Sequence, residues 1–291
     1  MNFLEKKKIL LIISGGIAAY KSLDLIRSFT KLQCEVKTIL TKGGAEFVTP
    51  LSIASLSKNK VYSDIYSVEN ESEMDHISLS RWADLILIAP ATSNTISAMA
   101  HARCNNLLLA CYLSAQCPVF VAPAMDLDMY AHPANQSNMA KLTEFGNVIF
   151  PAQEGFLASG LEGKGRMMEP EDIVERLKSH LVKNAPLRGK TVLITAGPTY
   201  EAIDPVRFIG NHSSGKMGYA LAEEAAALGA NVILVSGPTA QTTETNTIKL
   251  VEVISAAEMY TAVFEHYHKV DIAIAAAAVA DFKINKKYEN K

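Results

Sequence analysis

Four clusters carry residues that could do chemistry, and three of them sit where an apolar run ends. Ser14-Gly15-Gly16-Ile17 closes KILLII, Pro90-Ala91-Thr92-Ser93-Asn94 closes ADLILIA, and Pro123-Ala124-Met125-Asp126 closes CPVFVA. Small residues with free N–H groups at a helix start suit an anion, because the aligned peptide dipoles leave partial positive charge there. The run EVKTIL ends in Thr41 and Lys42, not in the carboxylate that would hold a dinucleotide ribose, and the full GxGxxG fingerprint is missing. A hydroxyl and an amine suit a phosphate, so a mononucleotide such as FMN is expected over NAD. The Ser14–Gly16 residues also suit a plain tight turn. His76, just before the third apolar run, reads as a general base near the ligand face or as an ordinary, partly exposed histidine at a helix start. The fourth cluster is EGFLASGLEGKGRM (154–167), with four glycines in fourteen residues and Ser159 near its centre. It has the glycine density of a phosphate loop, yet no strand pattern leads into it and no helix clearly leaves it.

The frame that must position these clusters is an alternation of strand and helix patterns. KKILLII, EVKTIL, ADLILIAP and CPVFVAPAM are apolar without alternation, which marks strands buried on both faces of a parallel sheet. IAAYKSLDLIRSFTKL has helical spacing between the first two. A helix near 133–145, a short strand at 147–150 and an amphipathic helix at 170–183, with Ile173, Val174, Leu177 and Leu181 on one face, follow. KNAPLRGK (183–190) reads as a linker, after which the scheme restarts. KTVLITAGPT, NVILVSGP, IKLVEV and VDIAIAAAAVAD are strands, with helices in SGKMGYALAEEAAALGA and at 255–268. The expected fold is α/β: a doubly wound parallel-sheet domain over 1–187 and a second, Rossmann-like domain over 188–291. The second domain looks incomplete, because no helix pattern follows its last apolar strand.

Composition removes several classes of function. With 49% hydrophobic residues the 291-residue chain can bury a large core, and a net charge of −2 supplies no basic footprint for nucleic acid or a membrane surface. No apolar run approaches a membrane span. Cys34, Cys104, Cys111 and Cys117 have neither CxxC nor zinc spacing and read as buried free thiols of a reducing cytoplasm. Among the other histidines, His132 precedes a proline and reads as a helix cap.

In order along the chain, SGGIAAYK, His76 before a buried strand, LIAPATSNTI, PAMDLDMY and ASGLEGKGRM resemble the flavin-dependent cysteine decarboxylases. ITAGPTYEAIDPVRFIGNHSSGKMG followed by AAAVADF resembles phosphopantothenate–cysteine ligase. Both halves on one chain are similar to the bifunctional decarboxylase/ligases of coenzyme A synthesis. The resemblance implies a flavoprotein-type first domain with FMN against Ser14, Gly15, Ile17, Thr41, Pro90, Ala91, Thr92 and Asn94. It puts His76 in the base role, Asp126 against the departing carboxylate, and Ser159 on a mobile flap with Gly163 and Gly165 as hinges. The chemistry it implies oxidises the thiol carbon of phosphopantothenoylcysteine to a thioaldehyde, an electron sink for loss of CO₂, and then reduces the resulting enethiol to 4′-phosphopantetheine.

For the second half the resemblance implies that cysteine is joined to 4′-phosphopantothenate through an acyl-cytidylate made with CTP and Mg²⁺. Asn211 and Arg207 match residues acting on that intermediate. Ala275, Ala276, Ala277 and Asp281 match the CTP site, and Lys291 matches the first lysine of a motif serving both roles. No protein metal ligand is expected. SSGKMG opens a helix whose N-terminus suits a phosphate, and Lys216 within it also reads as no more than a helix start. Small-molecule substrates, a homo-oligomer and a cytoplasmic location complete the expectation, with the ligase half truncated relative to the family. Two positions depart from the family's best-known form: Asp126 replaces an asparagine and Ser159 replaces a cysteine that donates a proton. A thiol has a pKa of about 8.5 and a hydroxyl far higher, so the proton must reach the substrate another way or decarboxylation suffers. A decarboxylase with a vestigial ligase half, and a flavin-binding regulatory subunit, are the alternatives.

Overall fold

The computed structural model describes residues 3–63, 75–285 and 289. The chain forms two compact units, one through Ser179 and another from His180.

The first unit opens with β1 (Lys8–Ile13), a single 3₁₀ turn over Ile17–Tyr20, α1 (Lys21–Lys31) and β2 (Glu35–Leu40). Short helices α2 (Lys42–Ala45) and α3 (Pro50–Ser57) lead to β3 (Val61–Tyr62), then α4 (Asp75–Trp82) and β4 (Leu85–Ala91). Next come α5 (Ser93–Ala100), α6 (Leu107–Leu113), β5 (Val119–Pro123), α7 (Leu127–Ala131), α8 (Pro133–Glu144) and β6 (Val148–Ile149). A hairpin of β7 (Gln153–Phe156) and β8 (Glu162–Arg166) precedes α9 (Pro170–Lys183). β1 to β6 form one parallel sheet in the order β3-β2-β1-β4-β5-β6.

Every residue of β4 is buried, as its unbroken apolar pattern requires of a central strand covered on both faces. Leu10, Ile12, Ile86, Ile88 and Val121 pack on one face with Leu79, Ile96, Met99, Leu108, Met139 and Leu142 from α4, α5, α6 and α8. By the two-residue strand period Ile9, Leu11 and Ile13 point to the other face, where they are also fully buried. This is the doubly wound architecture expected from the sequence.

The second unit contains β9 (Thr191–Ala196), a small antiparallel hairpin of β10 (Tyr200–Ala202) and β11 (Phe208–Gly210), α10 (Lys216–Ala227) and β12 (Asn231–Ser236). It continues with β13 (Ile248–Glu252), α11 (Ala256–Tyr267) and β14 (Ile272–Ala275). Its main sheet is parallel in the order β13-β12-β9-β14. Ser255 and Glu258 form a reciprocal capping box at the start of α11. The long apolar run VDIAIAAAAVAD leaves the regular ladder after Ala275, where backbone bonds from Ala276 N to Thr195 O at 3.2 Å and Ala278 N to Gly197 O at 2.8 Å alternate with bonds to side chains. Ala276 N and Ala277 N both donate to Thr195 Oγ1 at 3.2 Å, and Ala280 N donates to Thr199 Oγ1 at 2.8 Å.

Candidate functional site

In the larger sheet the chain reverses direction of winding at β1: β2 lies on one side and β4 on the other. Such a switch point opens a crevice beyond the carboxyl ends of the two central strands. Ser14, buried at its mouth, ties the two ends together. Its Oγ donates to Pro90 O at 2.7 Å and accepts from Thr92 N at 3.2 Å. Thr92 and Thr41 both cap short helices, Thr92 Oγ1 accepting from Thr95 N at 3.3 Å and Thr41 Oγ1 from Gly44 N at 3.1 Å. A cavity of about 680 Å³ lies here, lined among others by Ser14, Gly15, Thr41, Lys42, Thr92 and Asn94. Pro90 and Ala91 do not line it. They are spent on the scaffold, Pro90 O accepting from Ser14 and Ala91 O from Ala124 N at 3.0 Å.

The donor set matches a phosphate-bearing aromatic ligand. Lys42, the hydroxyls and the amides of Asn94, Asn105 and Asn106 provide polar groups, while Ile39, Leu107 and Leu108 provide an apolar wall. The volume falls within the range of about 300–1,000 Å³ usual for cofactor sites. Asn105 and Asn106 carried no strand-end signal in the sequence. The one available clue was Asn106 as an N-cap before an apolar helix, and its Oδ1 does accept from Leu109 N at 2.9 Å.

The glycine-rich stretch is structured differently from expectation. A strand does lead into it, a strand leaves it, and α9 follows. Gly163 and Gly165 are not hinges but close-approach positions inside β8. A Cβ on Gly165 would lie 2.3 Å from Met125 O, and one on Gly163 would lie 2.8 Å from Leu127 Cδ1. The missing side chains let β8 lie directly on the Met125–Leu127 segment, where Met125 N donates to Gly165 O at 3.0 Å. Alternation of polar and glycine residues hid this strand, since neither face reads as apolar.

A second cavity, of about 400 Å³, lies under the hairpin. Ile17, Asp126 and Ser159 line it together, as do Lys21 and Arg166. The turn after β1 thus lines both cavities, Ser14 and Gly15 the first, Gly16 and Ile17 the second. Asp126 is the N-cap of α7, its Oδ1 accepting from Leu127 N at 2.6 Å. Lys21 is buried, with Nζ 3.0 Å from Met167 O and 3.0 Å from Glu169 Oε1, and Arg166 donates to the same carboxylate. Sequence reading passed over Lys21 as part of an amphipathic helix.

His76 lines neither cavity. It is held through its carbonyl, which accepts from Ser80 Oγ at 2.6 Å, and Ser80 Oγ also reaches Cys111 O at 3.0 Å, stapling α4 to α6. Its ring Nδ1 is buried and has no hydrogen-bond partner among the described residues. The four thiols also divide. Cys111 is buried, which pushes its thiol up to about 12, while Cys34 and Cys117, also expected to be buried, are half-buried and pushed up to about 11. Cys104, expected to be buried, is exposed because it lies in the polar turn between α5 and α6. His132 caps α8 as expected, Nδ1 accepting from Ala134 N at 3.2 Å.

In the second unit Asn211 Nδ2 donates to Val279 O at 2.8 Å, so Asn211, Thr195 and Thr199 together pin the loop 275–280 beyond β14. Asp281 lies exposed just after it. Arg207 is set apart: it precedes β11 and Asn211 follows it, roughly 13 Å along an extended backbone. Asp204 fixes Arg207, accepting from Arg207 N at 2.7 Å, Arg207 Nε at 2.6 Å and Val206 N at 2.8 Å. The backbone N–H of Arg207, then that of Val206, holds the Asp204 carboxyl below its ordinary range. Asp204, Thr195 and Thr199 were missed because their partners are backbone groups distant in sequence or invisible to pattern. Lys291 lies outside the described residues.

Two family models match the chain: "Flavoprotein" over residues 2–182, and "DNA/pantothenate metabolism flavoprotein C-terminal domain" over 187–291. The coenzyme A biosynthesis bifunctional protein CoaBC of Bacillus subtilis (strain 168) is 45% identical over 290 residues, covering 99% of this chain and 71% of that protein. A cysteine/cysteine sulfinic acid decarboxylase from an unknown prokaryotic organism is 54% identical over 239 residues, 81% of this chain and 67% of that protein. Among solved structures, a PPC decarboxylase mutant complexed with pantothenoylaminoethenethiol matches with a TM-score of 0.55 at 33% identity, covering 60% of this chain and 98% of that one.

Proposed function

The chain belongs to the family of bifunctional coenzyme A biosynthesis proteins, and from that premise we propose that its first half is an FMN-dependent decarboxylase acting on a cysteine unit. On the family reading that unit belongs to phosphopantothenoylcysteine, and the second half makes this substrate from 4′-phosphopantothenate, cysteine and CTP. The observation that carries the decarboxylase reading is the pair of cavities meeting at the turn after β1, one suited to a phosphate-bearing cofactor and the other to a substrate under a closing hairpin.

Ser14, Gly15, Thr41, Thr92 and Asn94 would hold the flavin, with Lys42 and the asparagine amides near its phosphate and Leu107 and Leu108 against its apolar part. Bound there, FMN would supply two-electron oxidation of the thiol carbon and the return of those electrons after CO₂ has left. Ile17 would separate cofactor from substrate. The β7–β8 hairpin excludes water over the substrate, with Ser159 facing the reacting carbons from its tip. A serine hydroxyl is too weak an acid to give up its proton unaided, and water is no stronger, so Ser159 serves here as a relay, taking a proton from solvent as it passes its own to the enethiol. His76, outside both linings, would need a partner surface or a movement of α4 to act as base.

For the second half, the pinned loop 275–280 presents backbone groups to a nucleotide, and Asp204 holds Arg207 for the charge of an acyl-phosphate. Mg²⁺ would enter with the triphosphate, since no group of three His, Cys, Asp or Glu side chains among the described residues could hold a metal. The test is direct. FMN-loaded protein given carboxyl-labelled phosphopantothenoylcysteine should release labelled CO₂, and protein given 4′-phosphopantothenate, cysteine, CTP and Mg²⁺ should release CMP. CO₂ without CMP confines the activity to the first half, and neither product overturns the proposal.

A further inference from the structure

The cavity under the hairpin has a charge pattern that reaction at an acylated cysteine does not call for. Among the described residues three charged side chains line it: Lys21, Arg166 and Asp126. The two cations share one carboxylate, Glu169 Oε1, so they form a cluster with one positive charge left over. Asp126 stands apart and has no ion-pair partner among the described residues. Nor can it readily withdraw. Its Oδ1 is bound to Leu127 N at 2.6 Å, and β8 lies against the Met125–Asp126 backbone through the Met125 N to Gly165 O bond of 3.0 Å.

One fixed carboxylate and one net cationic cluster in the same cavity are the complement of a zwitterion. A substrate carboxylate alone is repelled by Asp126. An α-ammonium on the same carbon reverses that sign, because it donates a charge-assisted hydrogen bond to Asp126 while the carboxylate faces the cations. An amide nitrogen offers one N–H and no charge, and gains much less. Resting on the flavin decarboxylase reading, we infer that this site also takes, and prefers, thiol amino acids whose α-amine is free, with Asp126 receiving the ammonium. The reaction would be balanced without an external oxidant. The bond from Cα to the carboxylate breaks, CO₂ leaves, Cα takes a proton, and two electrons pass from the thiol-bearing carbon to the flavin and back, leaving an aminothiol.

The experiment compares wild type with Asp126→Asn, a substitution that preserves the helix cap. With the FMN-loaded chain, kcat/KM is measured for L-cysteine and for N-acetyl-L-cysteine by CO₂ release. The ratio should favour L-cysteine in wild type and fall about 10-fold or more in the variant, as loss of a charged hydrogen bond implies. In parallel, calorimetry measures binding of S-methyl-L-cysteine and N-acetyl-S-methyl-L-cysteine, which cannot be turned over as thiols. Tighter binding of the free amine, lost in Asp126→Asn, is expected. A ratio and a binding preference that Asp126→Asn leaves unchanged would overturn the inference, as would preference for the acetylated compounds in wild type. If neither thiol releases CO₂, the decarboxylase reading fails, and calorimetry alone decides the preference for a free amine.

Discussion

Replacing Gly165 with alanine should lift the hairpin from the site while leaving the parallel sheet folded. The new Cβ would meet Met125 O at 2.3 Å, where ordinary contact begins near 3.4 Å, so β8 must retreat by about 1 Å. That movement stretches the 3.0 Å bond from Met125 N to Gly165 O towards 4 Å, beyond useful length. The lost bond costs about 0.5–1.5 kcal/mol and the overpacking about 1–3 kcal/mol. The sum, about 1.5–4.5 kcal/mol, is more than an isolated two-stranded hairpin can absorb, so the hairpin detaches instead of straining the sheet. A population of seated hairpin reduced by that amount lowers kcat/KM for CO₂ release by roughly 10- to 1,500-fold, at 1.4 kcal/mol per decade. Gly163→Ala is the internal control. Its Cβ meets only the Leu127 side-chain end, with the two methyls at 2.8 and 3.2 Å, and such an end can change rotamer for about 1 kcal/mol. Steady-state kinetics on both variants, with proteolysis of the hairpin as a second readout, should rank Gly165→Ala far below Gly163→Ala. Equal losses would restore a hinge role for both glycines and refute the close-approach argument.

Three further outcomes are expected. Ser159→Ala should slow reduction of the enethiol more than its formation, seen as accumulation of the ultraviolet-absorbing intermediate in rapid mixing; equal slowing of both steps, or none, removes Ser159 from the proton path. Ser159→Cys should speed the reduction step, because a thiol is the stronger acid, and no gain would place the proton source elsewhere. The depressed pKa of Asp204 means that its contribution to stability is present above about pH 4, the unfolded value, and is lost as pH falls through the folded one. Melting temperature against pH should therefore drop less steeply below about pH 4 in Asp204→Asn than in wild type; parallel curves would show that the carboxylate contributes nothing.

The parallel sheets were legible because buried strands leave an unmistakable mark: β1, β4 and β5 are apolar without interruption, and the small or polar residues that end β1 and β4 fall at the switch point. The same logic located Ser14, Thr41, Thr92 and Asn94, whose types suit both a turn and a phosphate. What escaped was whatever depends on contact between distant segments. Alternating Gly and charged residues in β8 look like a loop until Met125 and Leu127 are seen to fill the space the glycines leave. Lys21 carries no mark of burial, since its partners are 146 and 148 residues away. The alanine run after β14 reads as strand on hydropathy alone, and only the structure reveals that the Thr195 and Thr199 hydroxyls share its amides with the backbone beside β9.

The most direct test of the central claim uses the purified chain, FMN and a carboxyl-labelled cysteine unit, supplied both as phosphopantothenoylcysteine and as free L-cysteine. Labelled CO₂ should appear from at least one of them only when FMN is bound, with the flavin absorption band returning to its oxidised form at the end of each turnover. Stoichiometric FMN binding with no CO₂ from either compound would contradict the account, leaving the two cavities as a flavin carrier without the chemistry assigned to them.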